Sequence, residues 1–214
     1  MDIFSEKNST SELKSKAGII MFIVGGVALL GIITAEVLYP GYSTLQEISD
    51  LGASRPPNSV IEKPAATVFN VTMIISGGLV LIATYLLHRV YERRGLSISL
   101  ALFGLGIFGV GVFPGNKVPW HMIFAMLTFV SGGIAVAFSS RVVEGPFKYL
   151  CMIFSGISIF FLFNGIFLAD AGPFSFLELG GIERWVVYPI LLWTSGFGGY
   201  LLGNSNRSEV SKVE

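Results

Sequence analysis

The chain has 214 residues, 52% hydrophobic and only 13% charged, with fourteen basic residues balancing fourteen acidic ones. Its mean hydropathy of +0.71 and its low charge content exclude an ordinary soluble domain, which carries nearer a quarter charged residues. The zero net charge lacks the basic face a nucleic-acid partner requires. The single cysteine, Cys151, excludes an internal disulfide and a cysteine-based metal cluster.

The N-terminal segment carries Asp2, Glu6, Lys7, Glu12, Lys14 and Lys16 before any apolar run begins, so no cleavable signal peptide is expected. Six apolar stretches follow, at about 17–39, 64–87, 96–113, 120–139, 149–169 and 185–202. Roughly 20 apolar residues cross the hydrocarbon core as a helix, and all six qualify. Backbone polar groups in lipid must pair internally, which leaves helices or a closed barrel. These continuous runs lack the ten-residue alternation of barrel strands. The sequence predicts an all-α integral membrane protein with one six-helix transmembrane domain over residues 1–214, folded as three helical hairpins.

Orientation follows from the basic residues. Lys7, Lys14, Lys16, Arg89, Arg93, Arg94, Arg141, Lys148, Arg207 and Lys212 fall on the side of the termini, against Arg55, Lys63, Lys117 and Arg184 on the other. Positive charge marks the cytoplasmic side, so both termini are expected in the cytoplasm, with the chain multi-pass in the plasma membrane. The acceptor patterns Asn8-Ser9-Thr10 and Asn206-Arg207-Ser208 then lie where glycosylation does not reach. Odd-numbered spans end outside at Tyr39-Pro40-Gly41, Phe113-Pro114-Gly115 and Gly172-Pro173-Phe174, because proline cannot continue a helix.

The first external loop, 41–63, is the longest. Ser43 with Gln46 and Thr44 with Glu47 offer overlapping capping boxes. Leu45, Ile48 and Leu51 share a face before Gly52, so a short interfacial helix is expected across the outer mouth. The segment from Asp170 to Arg184, rich in aromatic and glycine residues, is expected to fold against the same surface.

Nearly all unusual polar residues gather at this external end: Glu36, Ser49, Asp50, Asn70, Asn116, Lys117, His121, Asn164, Asp170, Glu183 and Arg184. An ionisable group inside a span costs a few kcal/mol and marks a functional or paired position. Glu36 is the clearest instance, with Arg184, Lys117 or Arg55 as its expected partner. His121 is the one histidine at this end, since His88 lies a membrane away, so bis-histidine haem ligation is excluded. A zinc site there would need Asp50, Asp170 and Glu183 as further ligands; no metal and no cofactor is expected. Ser49, Asp50 and His121 have the residue types of a catalytic triad, but adjacent Ser and Asp cannot both reach one imidazole in the usual way.

Gly104-Leu105-Gly106-Ile107-Phe108-Gly109 matches the dinucleotide-binding pattern letter for letter. No strand precedes it and it lies within a span, so Gly104, Gly106, Gly109 and Gly111 are expected to let helices approach. Ser195, Gly199 and Gly203, spaced by four, are expected to do the same on the last span or to receive partner helices.

The external motifs resemble the archaeal and bacterial six-span family known as domain of unknown function 998. The resemblance is carried by Tyr39-Pro40-Gly41-Tyr42, Ile48-Ser49-Asp50-Leu51-Gly52, Phe69-Asn70, Phe113-Pro114 with His121, and Gly181-Ile182-Glu183-Arg184. It implies six membrane helices and no established activity.

Three functions remain open on the sequence. The leading one is an outward-facing polar pocket that binds or modifies a lipid headgroup or small solute. In it, Ser49, Asp50, Asn70, Lys117, His121, Glu183 and Arg184 bind, and His121 with Asp50 or Glu36 moves protons if chemistry occurs. Arg184 and Lys117 would hold an anionic group. Expected partners are membrane lipids and, through the glycine faces, other transmembrane helices. The alternatives are a structural or assembly subunit and a small-solute transporter; the scarcity of ionisable groups in the cytoplasmic halves speaks against transport.

Overall fold

A computed structural model describes residues 3–168 and 171–210. The described residues contain six long helices and no strand: α1 (Ile3–Leu38), α2 (Ala65–Tyr91), α3 (Arg94–Val112), α4 (Trp120–Ser139), α5 (Pro146–Phe167) and α6 (Glu178–Val210). Each is long and apolar enough to cross a membrane. Apolar composition alone dictates this, because a helix is the one local structure that pairs its own backbone polar groups in hydrocarbon. Several polar side chains within the spans obey the same rule, although Ser76 Oγ and Ser158 Oγ are buried without a partner. Thr84 Oγ1 donates to the Val80 carbonyl at 2.7 Å, Thr128 Oγ1 to Phe124 at 2.8 Å and Thr194 Oγ1 to Ile190 at 2.7 Å, each back onto its own preceding turn.

The helices pack in chain order, α1 on α2, α2 on α3 and so on, and α6 closes on α1. The interfaces α1–α2 and α3–α4 are as extensive as α2–α3, so the arrangement is a closed ring in which hairpins are not set apart from their neighbours. α3 is the most buried helix and α5 the least. Tyr149, Met152, Phe163 and Phe167 of α5 point outward, as befits a helix bathed in hydrocarbon. The three longer connections meet at one end, here the loop end. At the other, terminal end, Lys14 of α1 lies over the Tyr91 ring at the end of α2. Nearby, the Glu144 backbone N–H donates to the hydroxyl of Tyr200 on α6 at 2.8 Å.

Glycine decides how closely the ring closes. A Cβ at Gly104 would press on Val80 and the Gly77 carbonyl, and one at Gly111 on the Asn70 carbonyl, so both serve the α2 contact. Gly106 lies against the Thr128 backbone and Gly109 against the Phe124 ring, which serves α4. The dinucleotide-like pattern is therefore two packing faces of one helix, filled by neighbouring chain and closed to a phosphate. Replacing Gly106 or Gly109 by leucine is expected to cost about 1–3 kcal/mol through overpacking, read as a lower melting temperature in detergent. Leucine at Gly199 is the control, since open space surrounds it.

That control marks a correction. Gly199 and Gly203 have nothing within 4 Å, whereas Ser195 meets Gly25 and Gly198 meets Gly18 and the Phe22 backbone. The α1–α6 contact thus runs through Ser195 and Gly198. Spacing by four found the right helix, but 3.6 residues per turn rotates Gly199 and Gly203 off the contact face.

Two boundaries also shift. α1 starts at Ile3, well before its apolar run, and α6 starts at Glu178, so Glu183 and Arg184 sit in its second turn and not in a loop. The expected short interfacial helix is a 3-10 helix over Ile48–Leu51. Half of one capping box forms, with the Ser43 N–H donating to Gln46 Oε1 at 2.8 Å. The chain then turns inward to bury Ile48 and Leu51 and leaves Leu45 exposed.

Candidate functional site

The loop end is built around Arg184. Its Nη1 donates to the carbonyls of Thr44, Gln46 and Gly180 at 2.7, 2.9 and 2.9 Å. Its Nη2 donates to Glu36 Oε1 at 2.6 Å and to the Tyr42 hydroxyl at 2.9 Å. Glu36 is thus paired with Arg184, the first of the three partners expected for it. Arg55, another of the three, pairs with Glu47 instead. A planar guanidinium with five fixed donors suits this bridging of helix and loop; a lysine ammonium would not. Tyr42 completes the clamp by donating to the Glu47 carbonyl at 2.9 Å, and burial pushes its phenol well above the ordinary range.

The Ile-Ser-Asp-Leu-Gly segment plugs the mouth of the ring. The Ile48 N–H donates to Glu183 Oε2 at 2.5 Å. The Gly52 N–H closes the turn onto the Ser49 carbonyl at 3.0 Å, and Asn70 Nδ2 of α2 donates to the Gly52 carbonyl at 3.3 Å. Gly52 has to be glycine because a Cβ would meet Asn70 Oδ1 and the Phe69 ring. Gly180 is equally constrained, its Cα lying under the Gln46 carbonyl while its N–H donates to Leu45 at 3.1 Å.

Beside the plug, a crevice of about 160 Å³ opens between α4, α5 and α6. Its lining is mostly apolar, including Met122, Met126, Leu162, Ile166 and Leu179, with Glu47, Ser49, Arg55, His121 and Glu183 as its polar members. His121 is almost fully buried, with Nδ1 2.8 Å from the Phe113 carbonyl. That carbonyl can only accept, so Nδ1 carries a proton and Nε2 of the neutral ring remains an acceptor. Ser49, Ala125, Phe129 and Glu183 also line a second, smaller cavity of about 60 Å³ inside the ring. The two spaces are adjacent across these four residues.

The candidate residues therefore separate into groups. Ser49, His121 and Glu183 line the crevice; Asp50, Asn70, Lys117 and Arg184 do not. Arg184 is spent on the clamp, Asn70 gives its Nδ2 to Gly52 and keeps a buried, unpartnered Oδ1, and Lys117 is exposed. Asp50 is half-buried and held above the usual carboxylate range by that burial and by Glu47. It does not line the crevice that Ser49 and His121 share. Among the described residues no three His, Cys, Asp or Glu side chains stand together as metal ligands; Asp170 lies outside them. Sequence reasoning missed Glu47 as a crevice residue. Its signal was position, next to the Ile-Ser-Asp-Leu-Gly plug and eight residues from its partner Arg55.

A family model described as a protein of unknown function (DUF998) matches residues 22–199. No curated protein and no solved structure matches the chain.

Proposed function

We propose a function from the premise that the chain belongs to the DUF998 family of proteins of unknown function: it binds a lipid with an uncharged, hydroxyl-bearing headgroup in the crevice at the loop end. One observation carries this reading, a largely apolar crevice whose lining also includes five polar residues. The apolar lining suits a hydrocarbon chain at the edge of the bilayer. The single cation of the lining, Arg55, is matched by Glu47, so no charge is left over to hold an anionic headgroup. Ser49, His121 Nε2 and Glu183 offer a donor and several acceptors, the chemistry that recognises hydroxyl groups. The positive-inside bias, ten basic residues against four, supports a loop end outside and termini in the cytoplasm.

Two experiments test it. Replacing Met126 or Leu162 by tryptophan fills the crevice from its lipid-facing side. Monoacylglycerol retained by protein in phosphatidylcholine nanodiscs, counted by native mass spectrometry, is expected to fall roughly tenfold, the equivalent of about 1.4 kcal/mol, with thermal stability unchanged. Equal retention in native and filled proteins would show that the loop end is a packed structural cap. For orientation, a cysteine introduced at Asn58 in a Cys151→Ser background is expected to react with a membrane-impermeant maleimide on intact cells. Labelling at Asn8→Cys in its place would reverse the topology.

A further inference from the structure

The inner cavity has no role in a site that ends at the crevice. It lies at the centre of the ring, walled by Ile32 of α1, Met73 of α2, Ile107 and Val110 of α3, and Val187 and Leu191 of α6. Its few polar neighbours, Ser49, Thr128 and Glu183, include the two that it shares with the crevice, and its remaining lining is apolar. A void of about 60 Å³ exceeds the roughly 10–15 Å³ that one water needs, yet water requires two to four polar partners and apolar cavities stay dry. Close-packed interiors tolerate few spaces of this kind without cost. In a membrane protein the filler at hand is hydrocarbon.

We infer that this cavity seats the end of the ligand's hydrocarbon chain, so the protein selects its lipid by chain length as well as by headgroup. The inference rests on reading the crevice as a lipid site and adds the path the chain takes. From Glu183 the chain passes Ala125 and Phe129, which line both spaces, and reaches Ile190, which lines the inner one. Glu183 and Ile190 are two turns apart on α6, a depth of roughly 10 Å at 1.5 Å per residue. A short chain fills the crevice alone; a longer one enters the ring.

The test is a competition among octanoyl, dodecanoyl and hexadecanoyl monoglycerides, offered in equal amounts to the protein in phosphatidylcholine nanodiscs and counted by native mass spectrometry. The native protein is expected to favour the longer chains. Ile107→Trp, which fills the cavity, is expected to shift the hexadecanoyl-to-octanoyl ratio toward octanoyl on the order of tenfold, equivalent to losing the packing of a methylene or two. Ile107→Ala, which enlarges it, is expected to shift the ratio the other way, and decides the matter if the tryptophan variant does not fold. An unchanged chain-length profile overturns the inference while leaving the crevice reading intact, provided Met126→Trp still lowers retention of all three. If the native protein retains none of them, both readings fail.

Discussion

Replacing Arg184 by glutamine is expected to destabilise the protein by about 3 kcal/mol, the low end of the range for removing one partner of a buried ion pair, because this pair is only partly buried. The change strands the Glu36 carboxylate in the outer part of α1 and leaves the Thr44, Gln46 and Gly180 carbonyls without the guanidinium that joins them. Glu36→Gln is expected to cost less, about 1.5–3 kcal/mol, the worth of a hydrogen bond to a charged group. Arg184 then keeps four protein acceptors, and the glutamine oxygen can still accept. The double variant is expected to recover only part of the Arg184→Gln loss, because neutralising Glu36 removes the stranded charge but restores none of the loop contacts. Melting temperatures of the three variants in detergent check this. A double variant as stable as the native protein would show that the pair is a net cost to the fold.

Replacing Gly180 by alanine is expected to lift the first long loop from the mouth of the ring. The added methyl would coincide with the Gln46 carbonyl and crowd Leu45, backbone atoms that no rotamer change can move aside. Overpacking of this kind costs about 1–3 kcal/mol. It also displaces the chain that presents Glu47 and Ser49 to the crevice, so stability and monoglyceride retention are expected to fall together. Gly199→Ala, in open space on the same helix, is expected to change neither. Loss of stability with full retention would separate the loop from the site.

The two predictions differ in how far the sequence anticipates them. A carboxylate inside an apolar run demands a partner, and only a few basic residues share its end of the molecule, so the order of residues narrows the partner of Glu36 to Arg184, Lys117 or Arg55 and the structure selects Arg184. The constraint on Gly180 is not. It comes from backbone 134 residues earlier in the chain crossing above it, and nothing local to Leu179–Gly181 records that crossing. The same holds for the polar residues of the loop end. The sequence collects them at one end through topology, yet the loop residues Lys117 and Asp50 do not line the crevice while Glu47 and Arg55 do. Side-chain direction in a loop depends on how the loop docks.

By itself the sequence determined the number of membrane helices, their approximate limits and the end at which polar residues gather, because hydrocarbon forces the backbone into helices and makes each charge within them conspicuous. It also determined that the Gly104–Gly109 pattern is a packing device, since a dinucleotide site needs a preceding strand. Tertiary structure alone decided that the helices close as a ring, that Ser195 and Gly198 rather than Gly199 and Gly203 form the α1–α6 contact, and that a crevice with polar and apolar lining residues adjoins an apolar cavity. In lipid the helices gain little hydrophobic energy by meeting one another. Their partners and rotations are therefore set by close fit between surfaces distant in sequence, which no single apolar run encodes.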